Sequence, residues 1–287
     1  MSTEYTLSNI HNDFDGYNKL INFYDKYQND DLETVDLSLN TWFDANLSAV
    51  LGGILDQLNK SNRIGFVGIS PSIQKILQKN GFLIHFGFDR TNDTYHTTIK
   101  YLKLKPTDSR FFNNYVQTDL FNRAELPQMS EAVKKKISES ILEMFVNAQI
   151  HSETEFIYTC GQFFPQRDEI IFTIVDTGIG FAKRIEINLN QIVSSTQAIK
   201  WAITEGHTTK QGTPGGIGLA ILKDFIVQNN GKIQIISGDA MYQLENGTET
   251  YSEFNNYFNG TIINMIFKTN DTTLYCLAEE IDNSELF

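Results

Sequence analysis

Glu143-Met144-Phe145-Val146-Asn147-Ala148-Gln149-Ile150-His151, then Asp176-Thr177-Gly178-Ile179-Gly180, then Gly215-Gly216-Ile217-Gly218-Leu219: these three runs, in this order within residues 138–220, decide the fold. Residues 129–151 place Val133, Ile137, Ile141, Met144, Phe145 and Ala148 near the 3.6-residue period and predict a helix. Glu143, Asn147 and His151 recur at i, i+4 and i+8 and share one face. A carboxylate one turn from a carboxamide suits a metal–phosphate site. The amide oxygen is a hard ligand for magnesium, and the carboxylate can polarise a nearby water or hydroxyl. An amphipathic helix with a solvated polar stripe would carry the same letters.

Glu169–Val175 is a continuous apolar run rich in β-branched residues and predicts a strand ending at Asp176. Gly178 and Gly180 then allow a tight turn and the close approach of a ligand to the backbone. A buried carboxylate at a strand end needs a donor, and the exocyclic amine of a purine would supply one. A plain Asp-x-Gly turn that ends a strand is the alternative. In the third run a glycine loop feeds the helix pattern Leu219–Ile226. Such a loop offers free N–H groups and the positive end of a helix dipole to an anion. His207, Thr208, Thr209 and Lys210 put hydroxyls and a cation just upstream. A surface loop would look the same. Neither a Walker loop nor a dinucleotide fingerprint is present.

Together the runs resemble the Bergerat-fold (GHKL) ATPases, a group that includes type II topoisomerases, heat-shock chaperones, mismatch-repair ATPases and sensor histidine kinases. The motif Glu143-x-x-x-Asn147-Ala148-x-x-His151 and the segment Thr208–Gly218 are most similar to the anti-sigma-factor serine kinases. The resemblance covers roughly residues 107–270. It implies ATP and Mg²⁺ as cofactors, with Asn147 holding the metal and Glu143 the candidate catalytic base. It further implies Asp176 on the adenine amine and Gly178 and Gly180 beside the base. Thr209, Lys210, Gly215, Gly216, Ile217, Gly218 and Leu219 would cradle the phosphates. Gly260-Thr261 matches the family's late Gly-Thr, so Thr261 would support adenine recognition.

The chain has 287 residues, enough for one large or two ordinary domains. Charged residues at 20% and aromatics at 12% suit a folded protein. The net charge of −12 argues against passive binding to nucleic acid or an anionic membrane. A local basic patch must therefore meet any phosphate, and Lys183, Arg184, Lys210 and Lys223 flank the runs. Cys160 and Cys276 are the two cysteines. Cys160, in a predicted strand, reads as a buried free thiol. With no signal peptide or membrane-length apolar run in the sequence, the cytoplasm is the expected location.

The expected class is α/β (α+β): an N-terminal mixed sheet with helices over residues 1–105, a Bergerat sandwich with helices on one face of a mixed sheet over 106–270, and a mobile acidic tail over 271–287. In the first unit, Asp13–Tyr27, Ala45–Leu58 and the segment after Ser70-Pro71 predict helices. Leu32–Leu39, Arg63–Ile69, Phe82–Phe88 and Thr97–Leu104 predict strands. Lys103–Asp108 reads as a linker. Further on, Lys232–Ile236, Met241–Gln243 and Thr261–Phe267 predict strands, Glu245–Asn256 a loop or hairpin tip, and Cys276–Ile281 a short helix. The order of the first unit is similar to STAS-type domains, the fold of anti-anti-sigma factors. Ala45 and Asn46 stand where that family carries its phosphorylated Ser or Thr, and Ser48 reads as part of the helix's first turn.

None of His11, His85, His96, His151 and His207 stands on a long helical hairpin before the site, so autophosphorylation on histidine is not expected. Three functional classes follow. One is a Ser/Thr protein kinase of the anti-sigma type acting on a STAS-like or sigma-like protein partner. Another is an ATPase switch whose lid closure drives dimerisation or partner release. The last is a non-hydrolysing nucleotide sensor.

Overall fold

The computed structural model describes residues 2–204 and 217–280. The chain opens with β1 (Ser2–Ile10), α1 (Phe14–Tyr27), β2 (Thr34–Phe43), α2 (Ser48–Leu58), β3 (Arg63–Ile69) and α3 (Pro71–Lys79). The three strands form a parallel sheet in the order β1-β2-β3, as strands joined by crossover helices must. Asp13 caps α1 by accepting from the Gly16 N–H at 2.8 Å.

The second half contains β4 (Thr98–Leu104), α4 (Ser109–Tyr115), α5 (Glu131–His151), β5 (Ile157–Phe164) and β6 (Glu169–Asp176). After these come α6 (Gly180–Leu189), α7 (Ser195–Ile203), α8 (Ile217–Gln228), β7 (Lys232–Glu245) and β8 (Thr248–Lys268). Five strands make an antiparallel sheet in the order β4-β5-β6-β8-β7. The class is α+β, but neither sheet is mixed.

Both faces of the larger sheet are covered. Ile170, Phe172 and Ile174 of β6 join one core with α4, α5, α7 and α8. On the other face Tyr158, Cys160, Val175, Ile236 and Ile262 share a core with α1 and α2. Those two helices lie between the sheets, in place of the expected one-sided packing. A strand covered on both sides reads as an unbroken apolar run, which is the pattern of β6. A buried polar layer also joins the halves. The Asn46 Nδ2 donates to Thr173 Oγ1 at 2.9 Å, and the Gln234 Nε2 donates to the Asn12 carbonyl at 3.1 Å.

Several local expectations change. β1 lies outside the predicted strands. Thr98–Leu104 is an edge strand of the larger sheet, paired with β5, and not part of the first sheet. The predicted linker is partly that strand, followed by a 3-10 turn at Pro106–Asp108. Phe82–Phe86 is a 3-10 turn and not a strand. Gly81 at φ 86° and Gly87 at φ 83° bend the chain at both ends, while Phe82 and Phe86 pack edge-on against Phe66. Glu245–Asn256 is the turn and rising arm of a long hairpin. Asn246 and Gly247 take φ of 50° and 71°, as a two-residue primed turn requires. Residues 271–280 are fastened where a mobile tail was expected. Tyr275 is buried against Phe225, the Ser130 N–H donates to its carbonyl at 2.8 Å, and Ser130 Oγ donates to Glu280 at 2.6 Å.

Candidate functional site

α5 is set by the Ser130 cap, whose hydroxyl accepts from the Val133 N–H at 3.2 Å. Ile137, Ile141 and Phe145 bury one face of α5, leaving Glu143 and Asn147 half-buried on its flank. Both line a cavity of about 140 Å³. Asp176, Gly180, Leu219 and Thr261 line it too. Met144, Phe181, Ile185, Trp201, Ile235 and Ile263 make its walls mainly apolar. The volume is small beside the roughly 300–1,000 Å³ of a drug-sized pocket and matches one planar ring system better than a whole nucleotide.

Asp176 sits at the floor, 5% exposed. Burial pushes its carboxyl up to about 7, against hydrogen bonds from the Gly178 N–H and from the hydroxyl and N–H of Thr261. The Gly178 bond is 3.0 Å. The antiparallel pairing of Asp176 with Thr261 across β6 and β8 puts the late Gly-Thr beside the carboxylate.

Gly178 must be glycine. A Cβ there would overlap the Ser152 carbonyl, which accepts the Ile179 N–H at 2.8 Å. Gly180 holds φ at 69° and starts α6. The next N–H, that of Phe181, donates to Ser237 Oγ at 3.0 Å.

The flanking cations divide. Lys183 pairs with Glu186 at 3.0 Å and Lys223 with Glu249 at 2.7 Å. Both are committed to carboxylates and do not line the cavity. Arg184 does line it, and its buried Nε has no hydrogen-bond partner among the described residues. Leu219 lies in the third turn-forming position of α8, which begins at Ile217. Ile217 and Gly218 therefore open the helix itself and do not belong to a loop before it. Thr209, Lys210, Gly215 and Gly216 lie outside the described residues, and so do His207 and Thr208.

Sequence reasoning missed Ser152 as a lining residue and did not single out Arg184 from the other flanking cations. Ser152 caps the C-terminus of α5, and a serine one residue past the helix was the available signal. Arg184 stood in the sequence as one cation among four, and only the path of α6 singles it out. Cys160 is the buried free thiol expected, pushed up to about 12 by burial. No family model matches the chain, and no curated protein matches it. Among the described residues no helix is long and apolar enough to cross a membrane.

Proposed function

We propose that this chain is an Mg-ATP-binding regulatory protein of the Bergerat (GHKL) type that uses ATP to act on a protein partner. The observation that carries the reading is convergence. Glu143 and Asn147 from α5, Asp176 and Gly180 around the end of β6, Leu219 from α8 and Thr261 from β8 line one cavity.

Asp176, ionised, would accept from an adenine amine, with the Gly178 N–H and the Thr261 hydroxyl orienting it. The apolar walls stack on the ring and exclude water. Arg184 lines the cavity, and its guanidinium would meet an anion there. Asn147 would hold Mg²⁺ together with phosphate oxygens and water, and the metal would neutralise charge developing on a transferring phosphoryl group. Glu143, one turn earlier, would orient or deprotonate the attacking hydroxyl or water.

Two outcomes of that chemistry remain distinct: transfer to Ser or Thr of a STAS-like or sigma-like partner, or hydrolysis that switches a partner or a homodimer. One observation favours the switch for this chain's own N-terminal half. Ala45 and Asn46 are fully buried, and Ser48 is fully buried with its hydroxyl donating to the Ala45 carbonyl at 2.5 Å. No acceptor hydroxyl is presented at that position, so this half offers no phosphoacceptor where a STAS-type domain carries one.

Purified protein incubated with γ-labelled ATP separates the readings. Label on a partner supports the kinase, free phosphate alone supports the switch, and binding without either leaves a sensor. Absence of any adenine nucleotide binding in calorimetry refutes the proposal.

A further inference from the structure

Helix α2 of the N-terminal half stands directly behind the turn that carries Asp176. Gly52, Gly53, Asp56 and Gln57 are spaced i, i+1, i+4 and i+5 and form one face of the helix. That face lies on β4, β5 and the end of β6. A Cβ at Gly53 would come within 2.9 Å of the Thr177 methyl and 3.3 Å of the Tyr158 ring. A Cβ at Gly52 would collide with the Tyr101 hydroxyl. Paired glycines inside a helix weaken it, so the close approach has to be the reason they are there. The Tyr158 hydroxyl donates to Asp56 at 2.7 Å, and Lys103 holds the same carboxylate.

At the end of this face the Gln57 Nε2 donates to Thr177 Oγ1 at 2.7 Å. Thr177 separates Asp176 from Gly178, whose N–H closes the turn on the Asp176 carboxylate. The Thr177 N–H donates to Thr154 Oγ1 at 3.3 Å, and that oxygen lies 3.5 Å from the Thr177 hydroxyl. Two side chains thus hold the residue next to the carboxylate. Gln57 is the one supplied by the N-terminal half.

We infer that Gln57 is a positioning residue for base recognition: through Thr177 it sets the Asp176–Gly178 turn, and so makes nucleotide affinity depend on how α2 is seated. This rests on the nucleotide reading of the cavity. Anything that shifts α2, including a partner bound to the N-terminal half, then changes the affinity for nucleotide, and nucleotide changes the seating of α2 by the same factor.

The test pairs calorimetry with a measurement that needs no nucleotide. Gln57→Leu keeps the bulk and removes the donor. It is expected to weaken adenine nucleotide binding by about threefold to tenfold, the range for one neutral hydrogen bond, and to speed amide hydrogen exchange at Gly178. Gln57→Glu, whose carboxylate can accept from the Thr177 hydroxyl, is expected to restore both. Thr177→Val should match Gln57→Leu, and the double variant should lose no more than either single one. Unchanged affinity in Gln57→Leu, or fully additive losses, overturns the inference. If the wild-type chain binds no adenine nucleotide, the reading of the cavity fails, and the exchange arm alone decides whether Gln57 holds the turn. Unchanged Gly178 exchange then overturns the positioning role as well.

Discussion

The carboxyl of Asp176 titrates near 7 because burial disfavours its charge. A bound adenine amine needs the ionised form as an acceptor. Binding strength should therefore follow the ionised fraction of the free protein. With a value of about 7, that fraction rises from about 9% at about pH 6 to about 91% at about pH 8. The affinity for the base should rise about tenfold over that window. At about pH 7 each binding event should release about half a proton.

Adenosine is the cleanest ligand, since it carries no phosphate that titrates in this range. Calorimetry in buffers of different ionisation enthalpy reads affinity and proton release together. Folding stability without ligand should move the opposite way. The folded value lies above the unfolded 3.8, so this group's contribution is full below about pH 4 and is lost as pH rises through about 7. The gap corresponds to on the order of 4 kcal/mol. Opposite slopes for binding and stability are a signature that general acid or alkaline damage cannot imitate. A flat affinity across this window, or proton uptake on binding, would refute an ionised Asp176 as the acceptor.

Asn147→Ala should lose the magnesium dependence of ATP binding, whereas Glu143→Ala should keep binding and lose turnover, read by calorimetry and phosphate release; unchanged Mg-ATP affinity in the Asn147 variant counts against its assignment. Gly178→Ala forces a Cβ onto the Ser152 carbonyl and should cost about 1–3 kcal/mol, the range for overpacking that forces a backbone shift, read as a lowered Tm together with lost nucleotide binding. Asp44 is fully buried between two Arg167 nitrogens at 3.2 Å, the Trp42 Nε1 at 2.7 Å and the Asn12 amide groups. Asp44→Ala should destabilise by about 3 kcal/mol, the lower end for breaking a buried pair, because Arg167 is partly exposed and can rehydrate; a melting temperature equal to wild type sinks that account.

The site was more legible than the packing around it. Asp176, Gly178 and Thr261 stand out because backbone constraints demand particular residues: a carboxylate at a strand end, a glycine where no Cβ fits, and a hydroxyl in register across the ladder. Such demands are local and leave local marks. The two-sided burial of β6 was also written in its letters, as an unbroken apolar run, but a strand covered by helices on one face and by another domain on the other reads the same. The hairpin of β7 and β8 carried an Asn246-Gly247 signal, and the polar residues beyond it on an exposed arm masked its strand character. The expected strand Phe82–Phe88 failed for the converse reason, because its apolar letters outweighed Gly81 and Gly87, which bend the chain at φ 86° and 83°. Arg184 could not be separated from Lys183 by spacing alone. Only the emergence of α6 from Gly180 turns one toward the cavity and the other toward Glu186.

The expectation of an N-terminal unit beside an ATPase sandwich misses what joins them. Had α1 and α2 packed only on the parallel sheet, the second face of the larger sheet would face water, and alternation along β6 would set polar residues there. Instead Val175 faces α1 and α2 in one apolar core, while Thr173 on the same face bonds Asn46 and Asn264. Apolar area supplies affinity between the halves, and the polar layer penalises any other seating, because a slip would leave Asn46, Asn264 and Gln234 buried without partners. A single seating is the condition under which one side chain of α2 can hold Thr177 in a reproducible place. The polar layer and Gln57 thus belong to one arrangement: the first orients the helix, and the second carries that orientation to the turn beside Asp176.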